Sequence, residues 1–261
     1  KLVIKKKQWV DSDARLIFDE VHKNPKWKNW VKGVYDVQRE KHNFLLTGSA
    51  RMNVYRKGSD SLMGRYFNYR LHQFTLDELP PGISLKEGLK RLLTVGGFPE
   101  PFIENAELFH RRWQLERFSS ILKEDARDLA LVKDIQNLQL FTTMLRKCVG
   151  GMVVLSNIAG DIQVSPTTAA KWLEALEQLY VCFSIRPYTR NIPRAIQKPP
   201  KVYFYDNADV SSSEGARREN LVATHLLKRI HFIQDTQGIE FELSYLRDKE
   251  GHEVEFVIHR E

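Results

Sequence analysis

The chain has 261 residues, of which 42% are hydrophobic and 28% charged. That is enough apolar content for one large core or roughly two to three small ones, which excludes a chain disordered throughout and a fibrous repeat. Lys and Arg number 40 against 33 Asp and Glu, a net +7 that favours anionic partners without requiring one. Cys148 and Cys182 form neither a disulfide framework nor a metal-ligand spacing. No apolar run nears the ~18 residues of a membrane span, and the opening K-L-V-I-K-K-K lacks the apolar stretch of a secretory signal. The expectation is a soluble, cytoplasmic protein with no membrane partner.

In chain order, Leu16-Ile17-Phe18 runs into Asp19-Glu20, and Phe44-Leu45-Leu46 runs into Thr47-Gly48-Ser49. Both short apolar runs predict buried strands of a parallel sheet. Between them Asn24 is placed to cap a helix beginning at Pro25, with Trp27, Trp30, Val31, Val34 and Tyr35 recurring at helical spacing. Strand, helix and strand make one crossover unit.

The middle predicts helices over 85–95, about 106–131 and 135–149. Ser165 caps a helix with Pro166 at its first position, and Ala169, Trp172, Leu173, Leu176 and Leu179 form its apolar stripe. With the shorter apolar piece 153–159 before it, and strands over 180–185 and 201–205 after it, the pattern is a helix-turn-helix with a wing. No Asp or Glu occurs from Gln178 to Tyr205, while Arg186, Arg190, Arg194, Lys198 and Lys201 fall there. That segment is the candidate DNA contact, with Lys171 on the outward face of the second helix; a solvated basic loop explains the same residues. A helix from about 214 to 230 and strands near 241–247 and 253–259 form the last module.

Two carboxylates at the end of an apolar strand lie where open α/β sheets place their ligands. In a Walker B arrangement Asp19 holds Mg²⁺ through water and Glu20 polarises the attacking water, while Thr47 and Ser49 sense a γ-phosphate from the next strand. Ordinary strand ends with helix caps remain the other reading. His22 and His72 have no partner at useful spacing.

The succession L-I-F-D-E-V-H-K-N-P-K-W, L-L-T-G-S-A-R, S-L-M-G-R-Y-F-N-Y-R-L-H-Q-F-T-L-D-E-L and G-G-F-P-E resembles the AAA-superfamily ATPases of bacteria and archaea whose C-terminal half is an uncharacterised domain. The resemblance covers nearly the whole chain. It implies ATP and Mg²⁺ as cofactors, Asp19 and Glu20 as the Walker B acids, Ser49 as the sensor and Arg65 as an arginine finger. A finger acting in trans would require a homo-oligomer. The C-terminal half resembles the second domain of that family, a winged helix followed by a fold similar to PD-(D/E)XK nucleases. On that resemblance Glu219 in E-N-L-V-A and Glu255 in E-V-E-F-V-I are two carboxylates of a divalent-metal site, and an E-x-K element is expected beyond Glu261.

A phosphate loop of the form G-x-x-x-x-G-K-[ST] is not found; the stretch 58–64 has no Lys after its second Gly. The expectation is that this loop lies upstream of Lys1 and that the polypeptide as it stands does not hydrolyse ATP. The predicted fold class is α/β: part of an AAA-like P-loop parallel sheet with lid helices over 1–105, a helical linker and winged helix over 106–205, and an incomplete nuclease-like module over 206–261. Mg²⁺-dependent ATP hydrolysis by the complete protein is the expected function. A DNA-binding winged-helix protein is the alternative, and a metal-dependent nuclease ranks third.

Overall fold

The computed structural model describes residues 15–21, 24, 26–48, 62, 64–122, 134–189, 198–248 and 250–260. The chain divides into two compact units, Lys1–Phe67 and Asn68–Glu261. Among the described residues no helix is long and apolar enough to cross a membrane.

In the first unit β1 (Arg15–Phe18) and β2 (Asn43–Leu46) pair in parallel, Phe18 opposite Leu46, joined by helix α1 (Trp27–Gln38). Helix α1 covers one face: Trp27 and Val31 are buried with Val21 and Leu62, and the Trp30 ring meets Phe18 edge-on at 4.8 Å. The sequence suggested strands buried on both faces, but Ile17 is 61% exposed and Leu45 49%. Alternate residues of a strand face opposite ways, so one helix shields only Leu16, Phe18, Phe44 and Leu46. The helix also begins later than expected, with Lys26 at its N-cap. Asn24 instead uses its side chain to accept from the Lys26 amide at 3.1 Å, forming an Asx turn ahead of the helix.

The second unit is helical at first: α2 (Leu85–Thr94), α3 (Pro99–Glu104), α4 (Glu107–Ser120), α5 (Ile135–Lys147), α6 (Leu155–Asp161) and α7 (Pro166–Gln178). Local chemistry sets several starts. Ser84, Asp134 and Ser165 each accept an amide of the first turn through their side chains, and Pro166 follows its cap. Helices α6 and α7 turn at Gln163, whose φ is 57°. Trp172, Leu173 and Leu176 of α7 are buried, leaving Lys171 exposed as the spacing predicted, with Thr167 and Glu174 exposed beside it.

A four-stranded sheet follows, ordered β4 (Lys201–Phe204), β3 (Cys182–Pro187), β5 (Phe241–Arg247), β6 (Glu253–Arg260). Strand β3 pairs antiparallel with β4 through Cys182–Ile185 and parallel with β5 through Arg186 and Pro187. The strands expected as a wing therefore belong to the same sheet as the last hairpin, and the domain boundary expected at 205/206 falls inside this unit. Helix α8 (Glu214–Gln237) packs on the sheet; it runs seven residues past the expected end because Gly238, at φ 69°, is what finally stops it.

Two polar arrangements lock this unit. The extended chain ahead of α2 is laid along one stripe of α8: Arg70 pairs with Asp235 at 2.6 Å, His72 Nε2 meets His231 Nδ1 at 2.8 Å, the Leu76 amide donates to His225 at 3.1 Å, and Lys228 donates to the Gln73 carbonyl at 2.8 Å. His72, read from the sequence as partnerless, finds its partner 159 residues away. Beneath it Asp206 and Asp209 are both buried at the turn before α8. Arg117 reaches Asp209 at 3.0 Å and Asp206 at 3.7 Å, and Arg146 reaches Asp209 at 2.6 Å. Burial would raise Asp209, but the two guanidinium groups hold it below the usual carboxylate range.

Candidate functional site

In the first unit the parallel register brings the ends of β1 and β2 side by side, and the Thr47 amide continues the ladder to the Phe18 carbonyl at 3.0 Å. Here the Thr47 hydroxyl donates to Asp19 Oδ1 and accepts from the Glu20 amide at 3.2 Å. One threonine thus ties together the two consecutive acids 27 and 28 residues earlier in the chain. Glu20 stands at φ 51°, in the left-handed region that a non-glycine residue enters at some cost. Asp19 is exposed and Glu20 half-buried, so the arrangement leaves carboxylate oxygens at the carboxyl edge of the sheet, where a hydrated Mg²⁺ is bound by one or two acids. Arg65 pairs with Asp36 of α1, Nε to Oδ1 at 3.0 Å. Ser49 lies outside the described residues.

A second cluster lies in the second unit, between α8 and the sheet. Lys201 of β4 is almost fully buried, at 1% exposure, and its ammonium meets three carboxylates. Nζ is 2.8 Å from Glu253 Oε1 and 3.5 Å from Glu219 Oε1, and it donates to Glu255 Oε2. Its pKa is raised: burial opposes the charge, but hydrogen bonds to Glu253 and Glu255 and the charge of Glu219 overcome that, so the lysine is an ammonium. Tyr203, two residues along β4 and therefore on the same face, donates to Glu219 Oε1 at 2.7 Å. Burial first, and then this bond, push the Tyr203 hydroxyl up and keep it protonated.

The position of Glu219 is set by its neighbour. Asn220 accepts from the Phe204 amide at 2.8 Å and donates to the Phe204 carbonyl at 3.0 Å, imitating a paired strand and clamping α8 to β4. On the other side Gly150, at φ 86°, leaves room for the acid: a Cβ there would lie 3.0 Å from Glu219 Oε2.

Glu219 and Glu255, named from the sequence, are brought together. Lys201, Tyr203, Glu253, Asn220 and Gly150 were missed as members of this cluster. Lys201 and Tyr203 carried one legible signal, a lysine and a tyrosine alternating with Val202 and Phe204 in a strand too apolar for an ordinary surface lysine. Of the proposed DNA contacts, Lys171 and Lys198 are exposed and Arg186 half-buried in β3, while Arg190 and Arg194 lie outside the described residues.

Residues 86–217 match the model of a domain of unknown function, DUF8612, and the chain belongs to that family. Residues 2–80 match the model of an AAA domain, a likeness compatible with an AAA-type NTPase. Two uncharacterised proteins, one of Mycobacterium tuberculosis and one of Mycobacterium bovis, are each 27% identical over 163 residues, 62% of this chain. The match spans 36% of the length of either relative. No solved structure gives a significant match.

Proposed function

We propose that the first unit carries the acid-strand side of an AAA-type ATPase site. The observation that carries this reading is the Asp19–Thr47–Glu20 arrangement, in which one hydroxyl binds an acid's side chain and the next residue's amide across two parallel strand ends. In this reading Asp19 holds Mg²⁺ through water, Glu20 polarises the lytic water, and Thr47 fixes the geometry of both, with Ser49, two residues further along the sequence, as sensor. A bound Mg²⁺ would neutralise charge on the phosphates. Arg65 would serve a neighbouring subunit by exchanging the Asp36 carboxylate for a phosphate, the two anions a guanidinium grips alike.

The test is ATP turnover by the full-length protein. E20Q should lower kcat about 100-fold or more with ATP binding retained, and T47V, which removes the hydroxyl but keeps the volume, about 10-fold. Parental turnover in E20Q would remove Glu20 from the mechanism and the reading with it.

A second reading, metal-dependent phosphodiester cleavage by the second unit, is favoured by the convergence of Glu219, Glu253 and Glu255. All three meet the Lys201 ammonium, Glu253 Oε1 at 2.8 Å, and Gly150 leaves room for the second Glu219 oxygen. Hard carboxylate oxygens are the donors Mg²⁺ and Mn²⁺ prefer, and such an ion would supply an activated water.

A further inference from the structure

The extended chain ahead of α2 is held to α8 at two points by imidazole nitrogens, and each contact needs a ring lone pair. His225 Nδ1 lies 2.8 Å from the Leu221 carbonyl, which can only accept, so that nitrogen carries the proton. The other ring nitrogen is then a bare acceptor, and it takes the Leu76 amide at 3.1 Å. His72 Nε2 and His231 Nδ1 face each other at 2.8 Å, a separation that admits one hydrogen and one lone pair. We propose that these three histidines make the segment 70–76 a proton-operated strap, closed on α8 while the rings are neutral and released when they take up protons. The device is independent of the nucleotide and metal readings.

Protonation acts on both contacts through geometry. A proton on His225 Nε2 sets one N–H against the N–H of Leu76, and a second N–H between His72 and His231 does the same there. The His72 ring is faced by Arg70 and Glu78 from the strap, by Lys228 and Asp235 from α8, and by the Tyr205 ring after β4, 5.8 Å between centroids. Around His225 stand Asp77 and Glu78 of the strap and Lys228 of α8, and His231 faces Asp235. Burial, and then Lys228 and Arg70, push His72 down to about 4 against the pull of Asp235 and Glu78, and burial lowers His225 as well. Burial would raise Asp235 and Glu78, but Arg70 and Lys228 hold them below the usual carboxylate range. The ion pairs along the strap therefore outlast its imidazole contacts as pH falls. A ring harder to protonate when held than when free favours the closed strap above about pH 6.5 and loses that preference toward pH 4. Release frees residues 70–76, roughly 25 Å of chain when fully extended.

Hydrogen exchange by the full-length protein at about pH 7.5 and about pH 4.5, corrected for the intrinsic rate at each, reads the strap directly. A ring at its ordinary 6.5 when released and at about 4 when held favours release tenfold more for each pH unit between those values. His72 alone should then lower the protection of amides 70–76 roughly 50–100-fold between the two conditions, with the amides of α2 as the reference. Strap protection that keeps pace with α2 at both pH values overturns the proposal. In H72Q/H225Q each glutamine oxygen can accept where Nε2 stood and takes up no proton. Protection should persist there at about pH 7.5 and change less than about 3-fold at about pH 4.5; a fall as large as the parent's would mean that other groups open the strap. A second measurement needs no substitution. Imidazole ¹⁵N spectroscopy of the parent should find His225 Nε2 and one nitrogen of the His72–His231 pair bare at about pH 7.5, and both protonated over the range in which the Leu76 amide loses protection. Protonated rings with Leu76 still protected, or Leu76 exchanging freely while the rings stay neutral, would overturn the switch.

Discussion

Gly82 and Gly96 have nearly the same backbone, φ 88° and φ 80°, and different surroundings. An added Cβ at Gly82 meets nothing within 4 Å, whereas at Gly96 it would fall 1.9 Å from Asp206 Oδ1 and 2.8 Å from its Cγ. Asp206 has no solvent to retreat into, being 0% exposed, and its carboxylate accepts from the amides of Ala208 and Gly97. Each substitution to alanine carries the left-handed penalty of about 1–2 kcal/mol. G96A must in addition push a buried carboxylate off its donors, roughly 1–3 kcal/mol more. G82A should therefore lose about 1–2 kcal/mol and G96A about 2–5. Urea denaturation followed by tryptophan fluorescence measures both, and the excess of about 2 kcal/mol corresponds to a Tm lower by about 4–8 °C for a unit of this size. Equal losses in the two variants would show that the G-G-F-P-E turn does not bear on the buried acids, and the reasoning would fail.

Two further outcomes follow from the same unit. Burial and the neighbouring Asp209 charge push Asp206 up to about 7 against the opposing pull of Arg117. The folded protein then keeps a proton that the unfolded chain releases above an ordinary carboxylate pKa, so this contribution is complete below about pH 4 and lost as pH rises through 7. D206N should remove that loss and be the more stable form at pH 8, by at most about 4 kcal/mol, with little difference at pH 4; a D206N less stable than the parent at pH 8 would contradict the assignment. Asp209, held low, acts only below that window. His72, pushed down to about 4 by burial and by Lys228 and Arg70, works in the opposite sense, so the readout is the difference between variant and parent. R70M should destabilise by about 2 kcal/mol, less than a fully buried pair because the Arg70 side chain is 20% exposed. It should also speed hydrogen exchange at the amides of 70–76; unchanged exchange would mean that this segment is not held by α8.

Much of the local structure was legible in the sequence. The cap at Ser165, the stripe through Trp172, and the crossover from β1 to β2 follow from spacing and turn chemistry, because each depends on residues a few positions apart. The candidate ATPase edge was legible for a related reason: an acid pair and a threonine at the ends of successive parallel strands meet whenever those strands are neighbours in register. The α8 cluster was only half legible. Glu219 and Glu255 were named from resemblance, but nothing local joins either of them to Lys201.

Sequence by itself determined the order of most helices and strands, which helix faces are apolar, and that two acids stand at a strand end. Tertiary structure alone decided that β3 and β4 share a sheet with β5 and β6, that His72 belongs with His231, and that one buried lysine pairs with three glutamates. The physical reason is range. Periodicity and capping act over one or two turns of chain, while a buried charge is stabilised by whichever opposite charges the packed fold brings within a few ångströms, however far apart they lie in sequence.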